Sequence, residues 1–295
     1  MTDLERRLRQ LKPDVRPTTI KVYAANIRRL RKIGGKALEY GPVSQYLKGL
    51  SVTNAVNLLT AIIVLEGRER YGLLYDSLNE SAALVRHSQQ FTPAEREQWT
   101  SSKVIREGLN RARFDVDRLK LLEVKKHPRS HLHILTQYLV LRFHTEFQWR
   151  SDLPSVRIGK HTGENYFYNG RFVLNHFKTS EHFKRRKLLP LIFTPSRGLA
   201  TLIRQFLEVR AAQGIEHDFL IVNRSLNPVR RDAYYKFLSA ATFKYVGKKF
   251  GASMFRHIYV TEFLAGSPSL QAKQRKLRSM MQLSLETFES YARRP

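Results

Sequence analysis

Tyr166-Phe167-Tyr168-Asn169-Gly170-Arg171-Phe172-Val173-Leu174 is the stretch on which the fold turns. Aromatic and β-branched residues fill both arms. Asn169-Gly170 between them is the dipeptide that best tolerates the two positive-φ positions of a tight hairpin. Val156-Arg157-Ile158 before it, and Leu188-Leu189-Pro190-Leu191-Ile192 after it, read as further short strands. Helical periodicity takes over on both sides. The expected fold is mostly α with a small antiparallel β-sheet. It is not a βαβ series, which argues against a doubly wound nucleotide-binding fold. No Gly-rich phosphate loop is present.

Working outward, apolar spacing predicts helices over 95–109, 115–122 and 130–144 ahead of the strands. Behind them it predicts helices over 196–212, 231–246, 255–265 and 283–291. Further upstream, Ile20, Tyr23, Ile27 and Leu30 share one helical face, with Pro17 at the start and Gly34-Gly35 at the stop. Ala55, Val56, Leu58, Leu59, Ile62 and Ile63 mark a second helix over 53–66. Thr92-Pro93-Ala94-Glu95 is a fresh helix start, with Thr as N-cap and Glu reaching back to it. The boundary is therefore placed near residues 89–91. A helical front domain occupies 1–90 and an α+β back domain 91–295.

Charge is the strongest global signal. Lys and Arg total 52 against 25 Asp and Glu, a formal net of +27. Such an excess is self-repelling unless a polyanion neutralises it, and nucleic acid gains further from counterion release. A solvated basic surface, a ribosomal contact and an anionic membrane surface are the other readings of charge alone. No cysteine is present, so disulfides, thiolate catalysis and cysteine zinc sites are excluded. No uncharged apolar stretch is long enough to span a membrane, and Met1-Thr2-Asp3-Leu4-Glu5-Arg6 lacks the apolar core of a signal peptide.

Four segments of the back domain stand out. They are Thr145-Glu146-Phe147-Gln148-Trp149-Arg150-Ser151-Asp152, Asn175-His176-Phe177-Lys178-Thr179-Ser180, Gly251-Ala252-Ser253-Met254-Phe255-Arg256-His257, and Gln282-Leu283-Ser284-Leu285-Glu286-Thr287-Phe288-Glu289-Ser290-Tyr291. Singly, each has an ordinary reading. Arg150 pairs with Asp152 or faces water, Lys178 is one base among many, Arg256 is a surface charge and Tyr291 packs on the core. As an ordered set they resemble the tyrosine recombinase/integrase family. Arg150-Ser151-Asp152 looks like its first Arg box and Phe177-Lys178-Thr179-Ser180 like its hairpin Lys. Phe255-Arg256-His257 is similar to its second Arg box, and the segment ending at Tyr291 resembles its closing Ser-Leu-Glu-Thr…Tyr.

The resemblance implies a helical N-terminal DNA-binding domain followed by an α+β catalytic domain, together clamping double-stranded DNA. Arg150 and Arg256 would hold the non-bridging oxygens bidentately, as guanidinium does better than ammonium. Lys178, partly desolvated on a mobile hairpin, would protonate the leaving 5′ oxygen. Tyr291 would attack and form a 3′-phosphotyrosyl bond, with no cofactor, metal or ATP required. Two positions depart from the pattern. Ser253, three before Arg256, stands where His is usual; Gln282, nine before Tyr291, stands where His or Trp is usual. Both keep hydrogen-bonding capacity and lose charge.

Lys21, Arg28 and Arg29 in the front domain, and His176, Lys184, Arg185 and Arg186 near the second segment, are candidate DNA contacts. A solvated loop or a nuclear-import signal is the alternative for the latter group. The expected setting is nucleus or nucleoid, and the expected assembly a dimer or tetramer on DNA. The short tail of four residues after Tyr291 argues against the subunit docking seen in many relatives. A type IB topoisomerase and a catalytically dead DNA-binding relative remain the other readings.

Overall fold

The computed structural model describes residues 1–266 together with 291 and 292. The chain divides into two compact units, Met1–Gln90 and Phe91–Pro295. In the first, five helices surround one core: α1 Asp3–Leu11, α2 Pro17–Gly34, α3 Tyr40–Lys48, α4 Val52–Glu66 and α5 Gly72–Ser88. Helix α2 begins at Pro17, where a missing N–H costs nothing. It buries Ile20, Ala24, Ile27 and Leu30 against Leu58, Leu59 and Ile62 of α4. Tyr23, expected on that buried face, is only half-buried. A capping box, Thr2 with Glu5, starts α1. The sequence signalled α2 and α4 but not α1, α3 or α5.

The second unit opens with α6 Pro93–Gln98, α7 Ser102–Arg118 and α8 Arg129–Glu146. The expected helices over 95–109 and 115–122 are instead α6 and α7, divided by three residues. Trp99 turns extended there, with its ring edge-on to Phe91 at 4.6 Å. Ser101 then caps α7 by accepting from the Val104 N–H. Helix α8 is enclosed: Leu132, Leu135, Leu139, Val140, Leu141, Phe143 and even Thr136, Gln137 and His144 are buried.

The sheet follows in the order β1 Arg157–Ile158, β2 Tyr166–Tyr168, β3 Arg171–Leu174 and β4 Leu191–Phe193. Asn169 and Gly170 take φ of 47° and 70°, as the hairpin turn requires. The sheet is mixed rather than antiparallel, because β1 pairs with β2 in parallel. The link from β1 to β2 turns back through Gly159 and Gly163, both at positive φ, so that both strands run the same way. Strand β4 starts only after Pro190, which has no N–H to give a ladder.

Short helix α9 Ser180–Arg185 lies between β3 and β4. Then come α10 Arg197–Ala212, capped by Ser196, α11 Tyr234–Val246 and α12 Ala252–Gly266. Helix α11 starts three residues later than expected and α12 three earlier. No described helix is long and apolar enough to cross a membrane.

Candidate active site

The site grows out of the end of α8. Phe147 and Trp149 leave the helix into an aromatic cluster, with Trp149 fully buried against Phe143, Phe172 and Phe193 at ring distances of 4.9, 5.3 and 5.1 Å. Gln148 between them is also buried. This packing fixes the backbone from which Arg150 projects, half-buried.

Arg256 approaches from the second turn of α12 and is only 2% exposed. Its Nε donates to the Gln148 carbonyl at 2.9 Å and its Nη1 to the Tyr291 hydroxyl at 3.1 Å. Burial pulls its pKa down, and Arg150 nearby does so too, but a guanidinium stays charged through shifts of this kind. Arg256 Nη2 and Arg150 Nη1 are buried and, among the described residues, have no hydrogen-bond partner.

Burial alone pushes the Tyr291 phenol up. The charges of Arg256 and Arg150, and hydrogen bonds from both, outweigh it and hold the phenol below its usual range. His257 donates from Nδ1 to the Tyr291 carbonyl at 2.9 Å, and the two rings meet at 4.7 Å.

Arg150, Lys178, Ser253, Arg256 and Tyr291 all line one cleft of about 510 Å³. Residues from distant parts of the chain are thus brought together. Because α12 begins at Ala252, Ser253 sits on its first turn, exposed to the cleft, on the same helix face as Arg256 and His257. Lys178 differs from expectation. It stands exposed on the turn that follows β3, not partly desolvated. The cause is local: Phe177 turns inward and is buried, which sends the next side chain out. Gln282, and residues 283–290 of the helix expected over 283–291, lie outside the described residues.

Several residues in and behind the cleft make contacts that the sequence does not signal. Asp152 is buried and pairs with Arg231 at 2.8 Å rather than with Arg150. The late start of α11 leaves Arg231 in the preceding turn, where it can make that bond. Tyr234 bonds His144 Nε2 at 2.7 Å behind the cleft wall. Burial drives the His144 pKa down to about 3, with Arg256 adding to the effect, so this histidine is neutral. Tyr235 lies half open along the cleft and packs on Gly251, where a Cβ would come within 2.6 Å of the ring. Only glycine admits that ring.

The other candidates are spread over both units. His176 is exposed beside Lys178, as are Lys184 and Arg185 of α9 and Arg186 at its end. In the first unit, Lys21, Arg28 and Arg29 are exposed on α2. Arg28 is partly engaged, bonding Thr2 Oγ1 at 2.9 Å and Glu5 at 3.4 Å, and Arg29 lies over the Tyr46 ring.

No family model and no curated protein matches the chain. Among solved structures the chain is similar to the crystal structure of XerA recombinase. The match has a TM-score of 0.45 at 13% identity and covers 98% of this chain and 92% of that one.

Proposed function

We propose that the chain is a DNA strand transferase of the tyrosine recombinase type, cleaving and rejoining duplex DNA through a phosphotyrosyl intermediate. One observation carries the reading: the buried Arg256 guanidinium donates to the Tyr291 hydroxyl at 3.1 Å, inside a cleft also lined by the Arg150 guanidinium, an amine and a serine hydroxyl. A tyrosine that merely packs does not need a buried arginine at its oxygen and a second arginine lining the same cleft.

The same groups account for each step. A phosphodiester seated beside Tyr291 places its non-bridging oxygens by the spare N–H groups of Arg150 and Arg256, which are fixed before the substrate arrives. The lowered phenol gives up its proton to solvent water in the cleft, and its oxygen attacks phosphorus. The P–Oη bond forms and the P–O5′ bond breaks. Lys178 gives the proton that the departing 5′ oxygen takes up, and its solvent contact allows it to be recharged. Ser253 donates to the phosphate without charge. Rejoining is the reverse and consumes no external energy. Site specificity, the oligomer on DNA and a role in integration belong to this proposal and follow from the resemblance in sequence.

The deciding experiment is covalent trapping on a nicked suicide duplex. Wild type is expected to form an adduct that resists detergent, and Tyr291→Phe to bind DNA and form none. An adduct that persists in Tyr291→Phe removes Tyr291 from the role. A wild type that binds and never reacts favours a DNA-binding relative without chemistry.

A further inference from the structure

We infer that His257 is a positioning residue, a charged clamp that holds the backbone of Tyr291 while Arg256 holds its hydroxyl. This rests on the strand-transfer reading above. The argument begins with the tautomer. The carbonyl of Tyr291 can only accept, so Nδ1 of His257, 2.9 Å away, must carry a hydrogen. Nε2 on the far side of the ring faces Glu95 Oε1 at 3.6 Å. If Nε2 were bare, its lone pair would point at a carboxylate. A second proton turns that repulsion into an ion pair, so the geometry favours the imidazolium.

Glu95 is itself pinned. Its Oε2 accepts from both the N–H and the hydroxyl of Thr92 at 3.0 Å, the reciprocal contacts of the capping box that starts α6. The box therefore does two things: it begins a helix and presents a fixed anion to His257. Among the described residues, Arg256 beside it on α12 and the Tyr291 ring also lie near it, and Arg150 and Lys178 line the same cleft. The two arginines oppose a charge on His257, and Glu95 favours it.

The result is a two-point hold on the nucleophile. Arg256 Nη1 takes the phenol oxygen and His257 takes the carbonyl, with the imidazole against the phenol ring at 4.7 Å. A single contact at the hydroxyl would leave the ring free to swing about it. Two contacts at opposite ends of the residue fix its line of attack, on which in-line displacement depends.

The test uses a matched pair of substitutions in the full chain. The amide nitrogen of Asn overlays Nδ1 of His, and that of Gln overlays Nε2. His257→Asn keeps the donor and loses the charge, so it is expected to slow single-turnover adduct formation on the suicide duplex about 3-fold where wild type carries the imidazolium, and to match wild type at the pH where that charge is lost. His257→Gln is expected to slow it about 10-fold, or about 1.4 kcal/mol of barrier, with DNA affinity unchanged in both. The pH-rate profile of wild type should show a limb from loss of the imidazolium, and His257→Asn should lack it. In 15N-histidine NMR of the DNA-free protein, the resonance that His257→Asn removes should report a protonated Nδ1. Equal rates for the Asn and Gln variants, or a bare Nδ1, overturn the clamp while leaving the strand-transfer reading intact. Failure of wild type to form any adduct overturns both.

Discussion

Arg256 and Lys178 face the same cleft from walls built in opposite ways. The α12 wall is closed: Arg256 is buried and bonded at two nitrogens, one of them to the Gln148 carbonyl next in sequence to the buried Trp149. The β3–β4 wall is open. Lys178 stands in water, followed by the exposed basic run from Lys184 to Arg186. Under the proposed strand transfer, the contrast separates two uses of positive charge. Charge that must act on a developing oxyanion is fixed beforehand, out of water, where the dielectric does not screen it. Charge that must attract a polyanion or exchange protons with solvent is left in solvent.

The largest effect should come from the closed wall. Arg256→Ala is expected to slow single-turnover cleavage by about 10²–10³-fold. It should also destabilise the second unit by about 1–3 kcal/mol, because the buried Gln148 carbonyl loses its donor. Arg256→Lys should recover little, since an ammonium cannot serve both Gln148 and Tyr291 from one stem. Cleavage kinetics and urea unfolding read the two losses separately. Wild-type cleavage by Arg256→Ala would erase the contrast.

On the open wall, Lys178→Ala should slow cleavage by about 10²-fold, the low end for a proton donor, with stability unchanged. A substrate whose leaving oxygen is replaced by sulfur needs no proton, so it should cleave at similar rates with wild type and variant. If the sulfur substrate stays slow with Lys178→Ala, the amine has another role.

Smaller again is the effect of the basic run. Changing Lys184, Arg185 and Arg186 together to Gln should flatten the slope of log affinity against log salt by up to about 2.7, at about 0.9 for each phosphate no longer neutralised. A titration series across salt concentrations measures this directly, and an unchanged slope would show these residues to be solvated only. The finest test concerns acidity. Because Tyr291 is held below the usual phenol range, cleavage should rise with pH through a midpoint below that of free tyrosine, near 10. Arg150→Ala should move that midpoint upward. A midpoint that does not move would place Arg150 away from the phenol in the working state.

The same contrast explains what the sequence disclosed. Strong local signals were readable: the Asn169-Gly170 turn, Pro17 at a helix start, the Thr92–Glu95 box and the enclosed helix before Arg150. The four segments carrying Arg150, Lys178, Arg256 and Tyr291 were readable as types in an order. What the sequence did not disclose depends on neighbours distant in the chain. Partial desolvation of Lys178 is expected from the sequence, but its exposure follows from Phe177 turning into a core built from distant segments. The pairing of Asp152 with Arg231 spans the whole sheet, and no local pattern encodes it. The parallel β1–β2 pair hid for the same reason, since such short strands have no periodicity to read. The positions of α6 and α7 were missed because Trp99 and Ser101 break a stretch whose charge pattern alone looks continuous.

One buried side chain, Asn165, bears on the role proposed for Lys178. It closes the base of the segment that carries the lysine. Its Oδ1 accepts from the N–H groups of Asn175 and His176 at 2.8 Å, and its Nδ2 donates to the His176 carbonyl at 2.6 Å and to Ser155 Oγ at 2.9 Å. Phe177 is buried just beyond. The fixed point thus lies immediately before Lys178, and the amine is tethered by little more than its own four-carbon stem. What that tether sets is a local concentration. An amine confined to so small a volume meets the cleft as if from a concentrated solution, however the residues between α9 and β4 are arranged. Exposure and proximity, which oppose each other for a free amine in water, are reconciled here by a single asparagine.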